Sequence, residues 1–216
     1  MFRVQVYATL TLAVGLLTLG VAADVVFHVG GALTALASFG SLLWLGFTTP
    51  SDSQNKRYAL LATFAFCQGT AIGPLVGLAL AVNPSIVMTA ALASTAIFAC
   101  FSLSALFTKR RSYLFLGSWL SSAMLSMLAM RFGGWLFGFR SAAFGFELYL
   151  GLLVFSGYVL FDTQLIVERA AAGDMDHVRH ALDLFVDAVA ILVRVLVILL
   201  KNQEKREQQQ RRKRKD

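Results

Sequence analysis

Charge is scarce in this chain. Asp, Glu, Lys and Arg make up 14% of its 216 residues, where a soluble domain carries about 25%. Residues 58–108 contain none of the four, and no histidine either. A soluble fold cannot hide a run of that length, so a water-soluble globular class is excluded. The two cysteines, Cys67 and Cys100, lie inside apolar segments without CxxC spacing. That excludes a disulfide framework and a thiolate metal site, and leaves them as small core residues. The three histidines, His28, His177 and His180, all fall at loops or segment ends. No imidazole base therefore stands inside a span. The Asn-x-Ser/Thr match, Asn83-Pro84-Ser85, carries proline in the middle and is no glycosylation acceptor.

What fills the chain instead is apolar: 57% of residues are hydrophobic. Seven hydrophobic segments are expected, at about 4–23, 29–47, 58–82, 86–107, 113–130, 148–167 and 180–201. They predict an all-α polytopic membrane protein. One transmembrane domain occupies 1–200, followed by a basic, disordered tail at 201–216. Val21-Ala22-Ala23 resembles a signal-peptidase site, but the apolar run before it is longer than a signal h-region, so segment one reads as a retained helix. Asp24 closes that segment and reads as an interface charge. Gly73-Pro74 interrupts segment three, and Gly173-Asp174-Met175-Asp176 reads as a helix stop followed by a helix start. The aromatic, Gly-rich stretch 131–147 reads as an interfacial connection.

The basic residues orient these segments. Lys56 and Arg57 follow segment two, Lys109-Arg110-Arg111 follow segment four, and Arg169 and Arg179 follow segment six. The connections after segments one and three carry none. The positive-inside rule then puts the N-terminus and the even-numbered connections in the cytosol. The tail breaks the alternation, with eight Lys/Arg against three acids. Hydrophobic length favours a crossing by segment seven. Tail charge favours a segment that dips in and returns, leaving the tail cytosolic.

The most informative stretch is His180–Lys201, HALDLFVDAVAILVRVLVILLK. It carries Asp183, Asp187 and Arg194 among Leu, Ile, Val and Phe. On a helix these three fall within about 40° of one another, on one narrow stripe. Charges at membrane depth cost at least ~2.5 kcal/mol each and usually mark a site, although a stripe of this kind also glues helices together. Asp162 stands in segment six at a matching distance from the same short loop, roughly 9–10 Å at 1.5 Å per residue. Two carboxylates at one depth on consecutive antiparallel segments are cheaper to bury if they share a proton. The same pair makes a hard oxygen site for a cation such as Ca2+. Asp183, one turn nearer the loop, is either a vestibule ligand or a headgroup-level charge. Arg194 and Arg57 are the candidate charge partners. His177 and His180 read as solvated loop histidines, with a metal pair beside Asp176 as the alternative.

The strings GTAIGPL (69–75), NPSIVMTA (83–90), FSLSALFTKRRSYLFLG (101–117), YVLFDTQLIVE (158–168) and GDMDHVRHALDLFVD (173–187) closely resemble the Bax inhibitor-1 family, also called transmembrane Bax inhibitor motif proteins. The resemblance covers nearly the whole chain and is closest to the endoplasmic-reticulum branch. It implies six helices around a central last segment, a pH-dependent Ca2+ leak, and suppression of cell death. It also implies that Asp162 and Asp187 are the family's aspartate pair and Asp183 its additional acid. In a bacterial relative an arginine near the end of the second segment latches the pair, and Lys56 or Arg57 is the candidate here.

Other classes fit less well. An intramembrane aspartyl protease needs a GxGD context, which Phe161-Asp162 and Val186-Asp187 lack. A retinal protein needs a lysine inside the last helix, where Arg194 stands alone. No enzyme and no cofactor are expected, and no nucleic-acid partner. The alternative function is a non-conducting scaffold that binds Bcl-family or other membrane proteins. The tail is a candidate contact for anionic lipid.

Overall fold

A computed structural model describes residues 2–49, 52–108, 112–138 and 140–213. Among these there is no strand. Seven helices follow in order: α1 (Phe2–Phe27), α2 (Ala32–Phe47), α3 (Gln54–Val82), α4 (Pro84–Phe107), α5 (Leu116–Phe137), α6 (Arg140–Ala171) and α7 (His177–Lys213). Helices α1, α3, α4 and the 144–171 part of α6 are long and apolar enough to cross a membrane; α2 is a shorter apolar helix. The class expected from the sequence is the one observed. The cluster Lys109-Arg110-Arg111 lies outside the described residues.

Local chemistry sets the ends. Asn83 accepts the Ser85 amide and Pro84 opens α4, where its missing N–H costs nothing. Gly138 closes α5 at φ 80°, and Gly173 follows α6 at φ 96°, backbone that a side chain disfavours. Asp176 caps α7 by accepting the Arg179 amide at 3.1 Å. Two sequence expectations need correction. Most of 131–147 is helix: α5 runs on to Phe137 and α6 starts at Arg140. Helix satisfies backbone groups internally, which outweighs the weak propensity of Gly133-Gly134. Nor does helix stop where the basic tail starts, since α7 continues to Lys213. Its tail includes an i,i+4 bond from Gln203 to Glu207, of the kind that supports exposed helix.

The chain forms two compact units. The first comprises Met1–Ala81 and Leu165–Val186, hence α1 to α3 with the end of α6 and the start of α7. Helix α1 buries Val6, Leu10, Ala13 and Leu17 along one face. A Cβ on Gly20 would strike the Phe66 carbonyl, and one on Gly69 would strike that of Leu17. Helices α1 and α3 therefore cross backbone to backbone, as small residues allow in membranes. Asp24 is not an interface charge. It is 3% exposed and accepts the Gly30 amide at 2.6 Å. It fills the space that a side chain on Gly73 would take, and so ties the α1–α2 turn to α3 beside Pro74.

The second unit comprises Val82–Gln164 and Asp187–Asp216. Leu120 and Met127 of α5 pack with Val154 of α6, flanked by Leu116, Leu150, Tyr158 and Phe161. Gln164 accepts the Tyr113 amide at 2.7 Å, and Thr163 lies 3.4 Å from the Ser102 hydroxyl. Helix α7 runs antiparallel to α6 here. Arg194 lies over Phe155, and Lys201, seven residues on, lies over Phe144, 5.8 Å from its ring centre. This part of α7 follows α6 back to Phe144, near the beginning of the α6 apolar span.

Candidate functional site

Two groups of charged side chains stand out, one in each unit. The first surrounds the turn between α6 and α7. Arg57, in the first turn of α3, is 1% exposed. It donates Nη2 to Asp176 Oδ2 at 2.6 Å and Nε to the Thr48 hydroxyl at 3.3 Å. Asp176, 5% exposed, thus serves at once as helix cap and as counter-ion. Burial pushes its carboxyl up, but the Arg57 guanidinium and the Arg179 amide outweigh burial and hold it below the usual carboxylate range. Beside it, Tyr58 and His177 meet hydroxyl to Nε2 at 2.8 Å. His180 is 1% exposed, stands edge-on to the Phe2 ring, and keeps its Nε2 3.8 Å from Asp174 Oδ2. That nitrogen makes no hydrogen bond, and burial pushes the imidazole down. His177 and His180 are therefore no solvated pair, for His180 is core.

The second group lines the α6–α7 seam of the second unit. Arg194 is half-buried. Its Nη1 donates to the Ala190 carbonyl at 3.0 Å, and its guanidinium carbon stands 4.2 Å from the centre of the Phe155 ring. This contact fixes which stripes of the two helices face each other. Asp162 lies seven residues after Phe155, and Asp187 seven residues before Arg194. Seven residues are two turns to within about 20°. The stripe of α6 that presents Phe155 to α7 therefore also carries Asp162, and the stripe of α7 that presents Arg194 also carries Asp187. In an antiparallel pair both positions lie on the same side of the Arg194–Phe155 contact. Asp187 is 4% exposed, and Asp162 is half-buried. Asp183 is half-buried one turn nearer the start of α7 and belongs to the first unit. At the other end of the seam Glu147 is bidentate with Arg131 of α5.

The sequence singles out Asp162, Asp183, Asp187, Arg57 and Arg194, and offers His177 and His180 beside Asp176 only as a metal pair; it does not show the Arg57–Asp176 pairing, the buried place of His180, Glu147 or Phe155. The cap signal of Asp176 was legible in the GDMD string; its partner, 119 residues away, was not. Among the described residues no three His, Cys, Asp or Glu side chains come together as a metal cage. The seam offers carboxylates and one guanidinium, a set suited to holding protons and attracting cations.

The fold and this seam define a helical polytopic membrane protein with ionisable groups buried between its helices. The chain belongs to the Bax inhibitor-1 family, since the family model described as "Inhibitor of apoptosis-promoting Bax1" matches residues 1–204. It is 47% identical over 198 residues to Bax inhibitor 1 of Mus musculus, covering 90% of this chain and 83% of that protein. It is 44% identical over 196 residues to Bax inhibitor 1 of Oryza sativa subsp. japonica, covering 91% and 78%. With Bax inhibitor 1 of Homo sapiens the identity is 43% over 198 residues, 90% of this chain and 83% of that one.

Proposed function

We propose that this protein suppresses cell death as a pH-sensitive Ca2+ leak of the endoplasmic reticulum membrane, with Asp162 and Asp187 as its proton-sharing element. The suppressor role comes from the names of the relatives. The leak role is argued from the seam. The observation that carries it is the heptad relation, which puts both acids on facing stripes of α6 and α7. Two carboxylates so arranged hold one proton between them under acidic conditions and none at higher pH. The doubly ionised pair repels itself and attracts Ca2+; the singly protonated pair is a hydrogen bond that holds the helices together. Asp183, a turn nearer the cytosolic loop, receives the ion. By the charge count the N-terminus and the α6–α7 turn face the cytosol, and the surrounding solvent is membrane lipid.

The reconstituted protein alone, in liposomes loaded with Ca2+ and an indicator outside, tests this. Release well above that of empty liposomes is expected. If none occurs at any pH between 5 and 8, the protein is a non-conducting scaffold for Bcl-family or other membrane proteins.

A further inference from the structure

A half-buried guanidinium in an apolar seam needs an explanation, because leaving it among lipid or packed side chains is costly. The chain provides a shaped seat for Arg194. Gly151 of α6 leaves the space open: a Cβ there would collide with Arg194 Nε and lie 3.1 Å from Cζ. The Met127 side chain of α5 closes the same space, 2.9 Å from that Cβ position. Phe155, one turn further along α6, offers its ring face, where a cation is attracted by the ring quadrupole. The Ala190 carbonyl takes Nη1. One turn before Gly151, the Glu147 carboxylate is held by Arg131.

Arginine keeps its charge in such a place, whereas lysine sheds its proton readily on burial. The guanidinium is therefore a permanent positive charge. It lies on the same stripe of α7 as Asp187, about 10 Å further along at 1.5 Å per residue. Any cation resting at the acids feels it, and the repulsion scales with the charge of the cation. Positive side chains lining a path discriminate among ions in this way.

We propose that Arg194 is a specificity-determining residue of the ion path, a fixed positive charge seated by Gly151 and Phe155 that slows Ca2+ relative to monovalent cations. The inference rests on the leak reading and deepens it. The unit difference in charge between Ca2+ and K+, seen across about 10 Å at an effective dielectric constant between 20 and 80, corresponds to a change in flux ratio of roughly twofold to fifteenfold.

Ca2+ and K+ fluxes are measured side by side in proteoliposomes containing wild type, Arg194→Lys or Arg194→Met. The Met variant keeps an apolar stem, and replacing a buried charge by a hydrophobic side chain is commonly tolerated. Arg194→Gln replaces it if it does not fold. The neutral variant is expected to raise the Ca2+-to-K+ ratio by about twofold to fifteenfold, with Arg194→Lys between it and wild type because lysine sheds its proton more readily than arginine. A conducting wild type whose ratio is unchanged in the neutral variant overturns this inference and leaves the leak intact. A wild type that conducts neither ion overturns the leak, and the inference with it.

Discussion

The guanidinium of Arg194 stands 4.2 Å from the centre of the Phe155 ring, and a heptad away on the same stripes lie Asp187 and Asp162. This contact organises the seam. It sets the facing stripes of α6 and α7 and fixes a positive charge between them.

The Arg57–Asp176 pair is expected to hold the α6–α7 turn against α3. Both side chains are buried, so removing one strands the other without its charge partner. Arg57→Ala is expected to cost about 3–5 kcal/mol and Asp176→Ala a similar amount, whereas the paired hydrophobic replacement Arg57→Met with Asp176→Leu costs less than either. Thermal unfolding in detergent measures this. Single variants with wild-type Tm would show that the pair contributes nothing to the turn.

Acidification is expected to loosen the same turn through His180. Its folded value is depressed, first by burial and then by the Arg169 and Arg179 charges, against the opposing pull of Asp174 and Asp176. Protonation thus favours the unfolded form. Stability is fully present above the ordinary histidine value of about 6.5 and falls as pH drops below it. Asp176 adds a loss of its own that begins as pH falls into the ordinary carboxylate range, because against the opposing effect of burial Arg57 holds its folded value lower than that. Unfolding midpoints of wild type and His180→Phe between pH 7.5 and 5 provide the check. Wild type should lose several degrees that the Phe variant keeps; parallel curves would remove His180 from the account.

The tail carries eight Lys/Arg, which translocate poorly, so it is expected on the cytosolic side. A glycosylation acceptor engineered after Gln210 is expected to stay unmodified in microsomes in which a control acceptor in another connection is modified. Efficient modification after Gln210 would show that the tail lies on the other side.

Much of this architecture was legible in the sequence. The seven apolar segments and the Gly173 stop are written in local chemistry. So is the stripe of Asp183, Asp187 and Arg194, because helical period alone sets it. What was hidden is what distance in sequence hides. Arg57 finds Asp176 across 119 residues, and no periodicity encodes that. Asp24 looks like an end charge until Gly30 and Gly73 close around it. The stretch 131–147 looks like a connection because Gly and aromatics dominate, yet α5 continues through it to Phe137 and α6 starts at Arg140. The polar tail to Lys213 has no apolar face to betray it as helix.

The pH profile of Ca2+ release from proteoliposomes, compared among wild type, Asp162→Asn, Asp187→Asn and the double variant, tests the proton-sharing seam most directly. Asn keeps the shape and removes the titrating charge. Either single variant is expected to flatten the profile between pH 5 and 8, and the double variant to add little, because the two residues act as a unit. Single variants that retain the wild-type pH profile would contradict the account.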